Sequence, residues 1–160
     1  MALNIVLIEP EIPQNTGNIV RTCAALGATL HLVHPLGFSL DEKHLKRAGL
    51  DYWPQLTLRQ WSDSATFFEE TAGEERYYFT TKAPRSYSEV HYGEDVYLIF
   101  GKESAGLDEA LLAQEIQRCV RIPMRPAIRS LNLSNSVAIA AYEWERQRTF
   151  AGLQQSGSLS

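Results

Sequence analysis

The chain has few of the residues that anchor metals or disulfides. Among 160 residues there are two cysteines, Cys23 and Cys119, in apolar surroundings and without Cys-x-x-Cys spacing. That excludes a disulfide framework or zinc ribbon and reads both as buried free thiols. The four histidines (His31, His34, His44 and His91) are scattered, so no His/Cys/Asp set has metal-ligand spacing and no metal is expected. No apolar run approaches the roughly 20 residues of a membrane span. The opening MALNIVLIEP is too short and too soon acidic for a secretory signal. A cytoplasmic protein without a membrane partner is expected. Also missing are a Gly-x-Gly-x-x-Gly fingerprint and a Walker A loop: the GK of GKESAGL lacks the required glycine five residues earlier, where Val96 stands. There is no excess of positive charge either. Fifteen Lys and Arg against nineteen Asp and Glu give a net charge of −4, so any polynucleotide must be held by a local basic face.

What is present is an ordinary globular composition, 44% hydrophobic and 21% charged, with length for one core. Short apolar runs at Leu3–Ile8, Leu30–Val33, Tyr77–Thr81, Val96–Phe100 and Cys119–Ile122 read as strands. Helical patterns lie between and after them, over Asn18–Leu26, Asp41–Ala48, Gln60–Thr71, Leu107–Glu115 and Leu133–Arg148, with Gly27 fitting the position just past the first. Alternation of this kind predicts an α/β domain with a mostly parallel sheet and helices on both faces. One domain is expected over residues 1–150, with a disordered polar tail over 151–160.

In open α/β sheets ligands bind beyond the carboxyl ends of the strands. Three unusual segments fall there. NTGNIVRT places Asn15, Asn18 and Arg21 three apart, roughly on one helix face, and Arg21 adjoins the apolar stripe of Ile19, Val20 and Cys23. Its partner is a carboxylate or a phosphate. GKESAGL carries two glycines suited to a tight turn or to close approach by a ligand, with the Glu103 carboxylate between them. IPMRPAIRSLNLSNS is stiffened by two prolines and ends in five polar residues, Ser130, Asn132, Ser134, Asn135 and Ser136, at the start of the last helix. One of these caps the helix; the surplus points to binding. Basic residues group as Arg121, Arg125 and Arg129, as Lys43, Lys46 and Arg47, and as Lys82 with Arg85. They are either solvated charges or phosphate contacts.

The patterns NxGNxxRT, FGxExxGL and IPMxxxxxSLNLSN, in this order, together with the opening LNIVLIEPEIPQNTGNIVRT and the segment KRAGLDYW, resemble the trefoil-knotted SPOUT methyltransferases of the 2′-O-ribose-methylating branch. The resemblance runs from about Leu3 to about Arg148 and implies a deep C-terminal trefoil knot holding S-adenosylmethionine. It places the cofactor against Phe79, Thr80, Gly101, Ile122, Met124, Ser130 and Leu131. It implies Arg21, Asn15, Glu103, Ser130 and Asn132 as the catalytic set. Arg21 would act near the cofactor of the other subunit of a homodimer, as an orienting and electrostatic group. Val137, Ala141 and Tyr142 would lie in the dimer interface. The implied RNA partner is tRNA, methylated at the wobble nucleotide, cytidine or uridine 34, of leucine isoacceptors. Arg125, Arg129, Lys43, Lys46, Arg47, Lys82 and Arg85 are the candidate phosphate contacts. Tyr52 and Trp53 either stack on a splayed base or pack in the core. Three alternatives stay open at this point: another tRNA or rRNA site, an RNA-binding protein without catalysis, and an unrelated nucleotide-binding domain.

Overall fold

The computed structural model describes residues 1–40 and 56–159. The predicted helix Asp41–Ala48 and the residues Lys43, His44, Lys46, Arg47, Tyr52 and Trp53 lie outside the described residues. The element order is β1 (Ala2–Ile8), α1 (Pro13–Leu26), β2 (Thr29–Val33), β3 (Thr57–Trp61), α2 (Ser64–Glu70), β4 (Arg76–Phe79), β5 (Asp95–Phe100), α3 (Glu109–Gln114), β6 (Cys119–Val120) and α4 (Leu133–Gln147). All strand pairs are parallel, in the order β3-β2-β1-β5-β4-β6. The α/β expectation with a parallel sheet holds. Among the described residues no helix is long and apolar enough to cross a membrane.

The period of two in the strands divides the apolar side chains between the two faces. Leu3, Ile5, Leu7, Val96, Leu98, Phe100, Tyr77 and Phe79 point to the face covered by α1 and α4, where they meet Ile19, Val20, Cys23, Val137, Ala140, Ala141 and Trp144. Val6, Ile8, Ile99 and Tyr78 point the other way, onto Phe67 of α2 and Leu112 of α3. Both faces are covered, which is why β1 and β5 read as nearly unbroken apolar runs.

Two sequence-based boundaries need correction. Residues 57–61 form an edge strand, where a helix from Gln60 was expected; α2 begins only at Ser64, capped by Asp63, whose Oδ1 accepts from the Thr66 N–H at 2.7 Å. Strand TLRQW is mostly exposed and polar, so it lacks the buried run that revealed the others. Helix α1 begins at Pro13, five residues before Asn18, with proline in its first turn, where no N–H is needed. Its other end is as expected: Gly27 is left-handed at φ 68°.

A third correction concerns the last helix. Val137 and Ala141 are fully buried within the chain, packed between α4, α1 and the sheet, and are therefore unavailable as interface residues. Small side chains there allow α1 and α4 to approach closely. Tyr142, 46% exposed, is the one of the three that faces outward. The end of α4 is tied down by Gln147, whose Nε2 donates to the Val90 carbonyl at 2.8 Å, and by Trp144 Nε1, which donates to the Gly93 carbonyl at 2.9 Å.

Candidate active site

At the carboxyl ends of β1, β4 and β5 lies a cavity of about 480 Å³. Its size suits a cofactor-sized molecule. Phe79 and Phe100, register partners on β4 and β5, form an apolar wall with their rings stacked at 4.7 Å and 18°. The segments after β4, β5 and β6 supply the rest: Thr80, Gly101, Glu103, Ile122, Met124, Ser130, Leu131 and Asn132 all line it, as does Asn15 of α1. Every site residue expected from the sequence is brought to this cavity except Arg21, which is exposed on α1 and is not among the residues lining it. The expected common face of Asn15, Asn18 and Arg21 is not formed. Each step of three turns the helix by about 300°, so the three drift apart; Asn15 is buried while Asn18 and Arg21 are exposed.

Glu103 anchors the polar side. Its Oε1 accepts from the Glu11 N–H at 2.8 Å and its Oε2 from the Ile12 N–H at 2.7 Å. Residue Ile12 precedes α1 and cannot cap it with its own side chain, so a carboxylate from a distant loop satisfies the free amides there. Asn15 Nδ2 also donates to Glu103 Oε2, at 3.2 Å, and Asn132 Nδ2 donates to Asn15 Oδ1 at 3.1 Å. Asn132 Oδ1 meanwhile accepts from the Ser134 N–H at 2.9 Å, the Ser134 hydroxyl at 2.6 Å and the Asn135 N–H at 3.4 Å. The asparagine therefore both caps α4 and reaches across to α1, which accounts for part of the polar surplus before that helix.

The loop after β5 is closed on itself. Lys102 bridges Gly106, whose N–H donates to the Lys102 carbonyl at 2.8 Å, and Gly106 is left-handed at φ 69°. A Cβ on Gly101 would lie 2.1 Å from the Gly106 carbonyl carbon and 2.3 Å from the Leu107 nitrogen. Only glycine fits there. Lys102 Nζ lies 3.6 Å from Glu9 Oε1, and Ser104 N–H donates to Glu11 Oε1 at 2.9 Å, a bond that lowers the Glu11 pKa. At the cavity rim Lys82 pairs with Glu109. Ile12, Lys82, Lys102 and Ser136 line the cavity without having been singled out for the cofactor site; isolated residues of common type carry no sequence signal of such a role.

The family model described as the SpoU rRNA Methylase family matches residues 2–142. The chain belongs to that family. Among its relatives, the tRNA (cytidine(34)-2'-O)-methyltransferase of Saccharophagus degradans is 47% identical over 150 residues, covering 93% of this chain and 97% of that protein. A solved structure described as giving structural insights into the 2-OH methylation of C/U34 on tRNA superposes with a TM-score of 0.87 at 48% identity, covering 93% of this chain and 97% of the other. The SpoU methyltransferase AviRb from Streptomyces viridochromogenes, solved in complex with AdoMet, superposes with a TM-score of 0.78 at 25% identity, covering 92% of this chain and 58% of that one. Family members are methyltransferases that use S-adenosylmethionine.

The cavity suits that cofactor. It joins an aromatic and aliphatic wall to a loop whose backbone is largely unpaired. Within residues 122–131, among the described residues, the one backbone hydrogen bond runs from the Ile128 N–H to the Arg125 carbonyl. The peptide groups of Ile122, Met124 and Leu131 thus remain able to pair with the edge of a purine.

Proposed function

We propose that this protein transfers a methyl group from S-adenosylmethionine to the ribose 2′-hydroxyl of nucleotide 34, cytidine or uridine, in the anticodon of tRNA, with leucine isoacceptors as substrates. It works in the cytoplasm as a homodimer of one domain, residues 1–150, followed by the tail 151–160, and needs no metal. The observation that carries this reading is the convergence of Phe79, Thr80, Gly101, Ile122, Met124, Ser130 and Leu131 on one cavity beside Asn15, Glu103 and Asn132. The relatives acting on cytidine 34 support the choice of substrate. A knot through the loop at 122–131 is consistent with β6 lying outside β4 while β5 lies inside it.

When bound, S-adenosylmethionine supplies an electrophilic sulfonium methyl. Ile122, Met124 and Leu131 would hold the purine end, and Phe79 and Phe100 would exclude water from it. The ribose oxygen would form its bond to the methyl as the sulfur–methyl bond breaks, S-adenosylhomocysteine leaving as the thioether and the hydroxyl proton passing to water; holding the hydroxyl in line recovers much of the barrier, up to about 7–11 kcal/mol in favourable intramolecular cases. Arg21 brings a planar, delocalised guanidinium cation to the reaction. It orients the RNA and stabilises the developing alkoxide. Its exposed place on α1, outside the cavity of its own chain, favours action in the cavity of a partner subunit. Ser130 would help hold the methyl-donor end, and Asn15, Asn132 and Glu103 line the same cavity.

The test is transfer of labelled methyl to tRNA lacking modifications, followed by digestion and location of the labelled nucleotide, with Arg21→Ala alongside. Label at the wobble ribose, with transfer reduced about 100-fold or more in the variant and cofactor binding retained, supports substrate and role together. Label elsewhere in tRNA, or only in rRNA, overturns the substrate. Full activity of the variant overturns the role of Arg21.

A further inference from the structure

Beside the cofactor cavity, and sharing Thr81 and Met124 with it, runs a groove of about 540 Å³ between segments 81–89 and 121–129. Arg85, Arg121, Arg125 and Arg129 line it, and among the described residues Glu89 is the one carboxylate lining it. On a chain of net charge −4 this is a local inversion of sign. The clusters around Arg85 and Arg121 are far apart in sequence but are joined by backbone pairing. Arg121 N–H donates to the Arg85 carbonyl at 3.0 Å, and Tyr87 N–H donates to the Arg121 carbonyl at 2.8 Å. The convergence of charge is thus built into the backbone.

Two of the arginines are anchored. Arg121 Nη1 donates to the Thr81 carbonyl at 3.0 Å, and Arg85 Nη2 donates to the Gln117 carbonyl. A guanidinium has five donors, so one acceptor each steers these forks and leaves donors for a ligand. Arg125 and Arg129 are exposed, and among the described residues neither forms an ion pair. Pro123 and Pro126 stiffen the wall that carries them. Ile128, 53% exposed, adds an apolar contact to the same wall. Lys82, expected with this group, is instead paired with Glu109.

We propose that this groove holds the phosphodiester backbone of the RNA strand that presents its ribose to the cavity, with Arg121 and Arg85 as fixed contacts and Arg125 and Arg129 closing on the phosphates. The inference rests on the methyl-transfer reading above. Planar guanidinium forks suit phosphate oxygens bidentately. Because the groove adjoins the cavity at Thr81 and Met124, a strand lying in it brings a neighbouring ribose to the methyl donor. Such contacts set position and register and carry no base specificity.

The test compares wild type with Arg125→Ala/Arg129→Ala, with Arg125→Lys/Arg129→Lys, and with Arg59→Ala, a surface cation on β3 at the opposite edge of the sheet. Affinity for unmodified tRNA is measured at several salt concentrations, and S-adenosylmethionine affinity by calorimetry. The alanine pair is expected to bind tRNA about tenfold or more weakly, with the slope of log K against log salt reduced by about 1–2, while cofactor affinity stays within about twofold. The lysine pair keeps the charge and recovers the slope but only part of the affinity. Arg59→Ala matches wild type. Wild-type tRNA affinity and slope in the alanine pair, with methyl transfer intact, overturns the groove and leaves the methyl-transfer reading standing. A loss as deep in the lysine pair as in the alanine pair, with cofactor binding lost as well, also overturns it. A wild type that binds cofactor but neither binds nor methylates tRNA overturns the function, and the groove with it.

Discussion

Asn132 donates its side-chain amide to Asn15 across 117 residues of sequence, at 3.1 Å, while its carbonyl oxygen caps α4. One side chain thus joins the starts of the two helices that cover the same face of the sheet. The two jobs are separable. Asn132→Ala removes both and is expected to lower stability by about 1 kcal/mol, the usual worth of a cap, and to impair methyl transfer. Asn132→Asp keeps an oxygen for the cap but loses the donor to Asn15. Its melting temperature is expected near that of wild type, with transfer still reduced. Calorimetric melts and a transfer assay on both variants check this; equal destabilisation by the two would rule out a separable cap.

Gly101 and Gly106 are both in the loop after β5 but are constrained differently. Gly101→Ala drives a Cβ into the Gly106–Leu107 backbone, an overpacking that costs about 1–3 kcal/mol. Opening of the loop is expected to weaken S-adenosylmethionine binding about tenfold or more. Gly106→Ala meets nothing within 4 Å and suffers only from its positive φ, about 1 kcal/mol. Calorimetric titration of both variants with the cofactor should rank them in that order.

Glu103 accepts two backbone amides and the Asn15 side chain. In Glu103→Gln one acceptor oxygen becomes an NH₂ group facing an N–H donor. A loss of about 1–3 kcal/mol is expected for the amide left unpaired, with hydrogen exchange at Glu11 and Ile12 accelerated. Unchanged protection at those two amides would contradict the anchoring role.

His31 is fully buried between Asn4 and Trp61. Trp61 Nε1–H donates to Nδ1 at 3.0 Å, and Nε2 lies 2.8 Å from Asn4 Oδ1, so the ring is neutral with its proton on Nε2. Burial, and then the nearby Arg59 charge, push its pKa down to about 4 from 6.5. A histidine with a lowered folded pKa leaves the unfolded chain binding more protons between these values. Its contribution to stability is complete above pH 6.5 and is lost as pH falls toward about 4. Between pH 7.5 and pH 5 this amounts to about 2 kcal/mol. Denaturant midpoints of wild type and His31→Phe at the two pH values should show wild type losing about that much more than the variant, whatever the variant's absolute stability.

The parts visible in the sequence were those whose information is local. Leu3–Ile8 and Val96–Phe100 are continuous apolar runs because both faces of the sheet are covered, and such runs have few other readings. Thr57–Trp61 sits at the edge with mostly exposed side chains, so nothing in its composition marks a strand. The start of α1 was misplaced because the group that completes it, Glu103, belongs to another part of the chain. The cavity residues were legible through motifs at strand ends, whereas the separation of Arg21 from Asn15 depends on the turn of the helix. Val137 and Ala141 were placed in an interface by the resemblance alone, which says nothing of which helix covers them; here the neighbouring helix is α1 of the same chain.

The carboxylate that settles the beginning of α1 is made 92 residues after Glu11, one of the amides it receives. On the ribosome, therefore, the first helix emerges with its opening turn unfinished and waits until β5 and the loop behind it have been synthesised. Loop closure over that distance is an entropic cost met before any reward. A nascent chain that ends before residue 103 therefore lacks the carboxylate that completes the first helix and the loop that carries it.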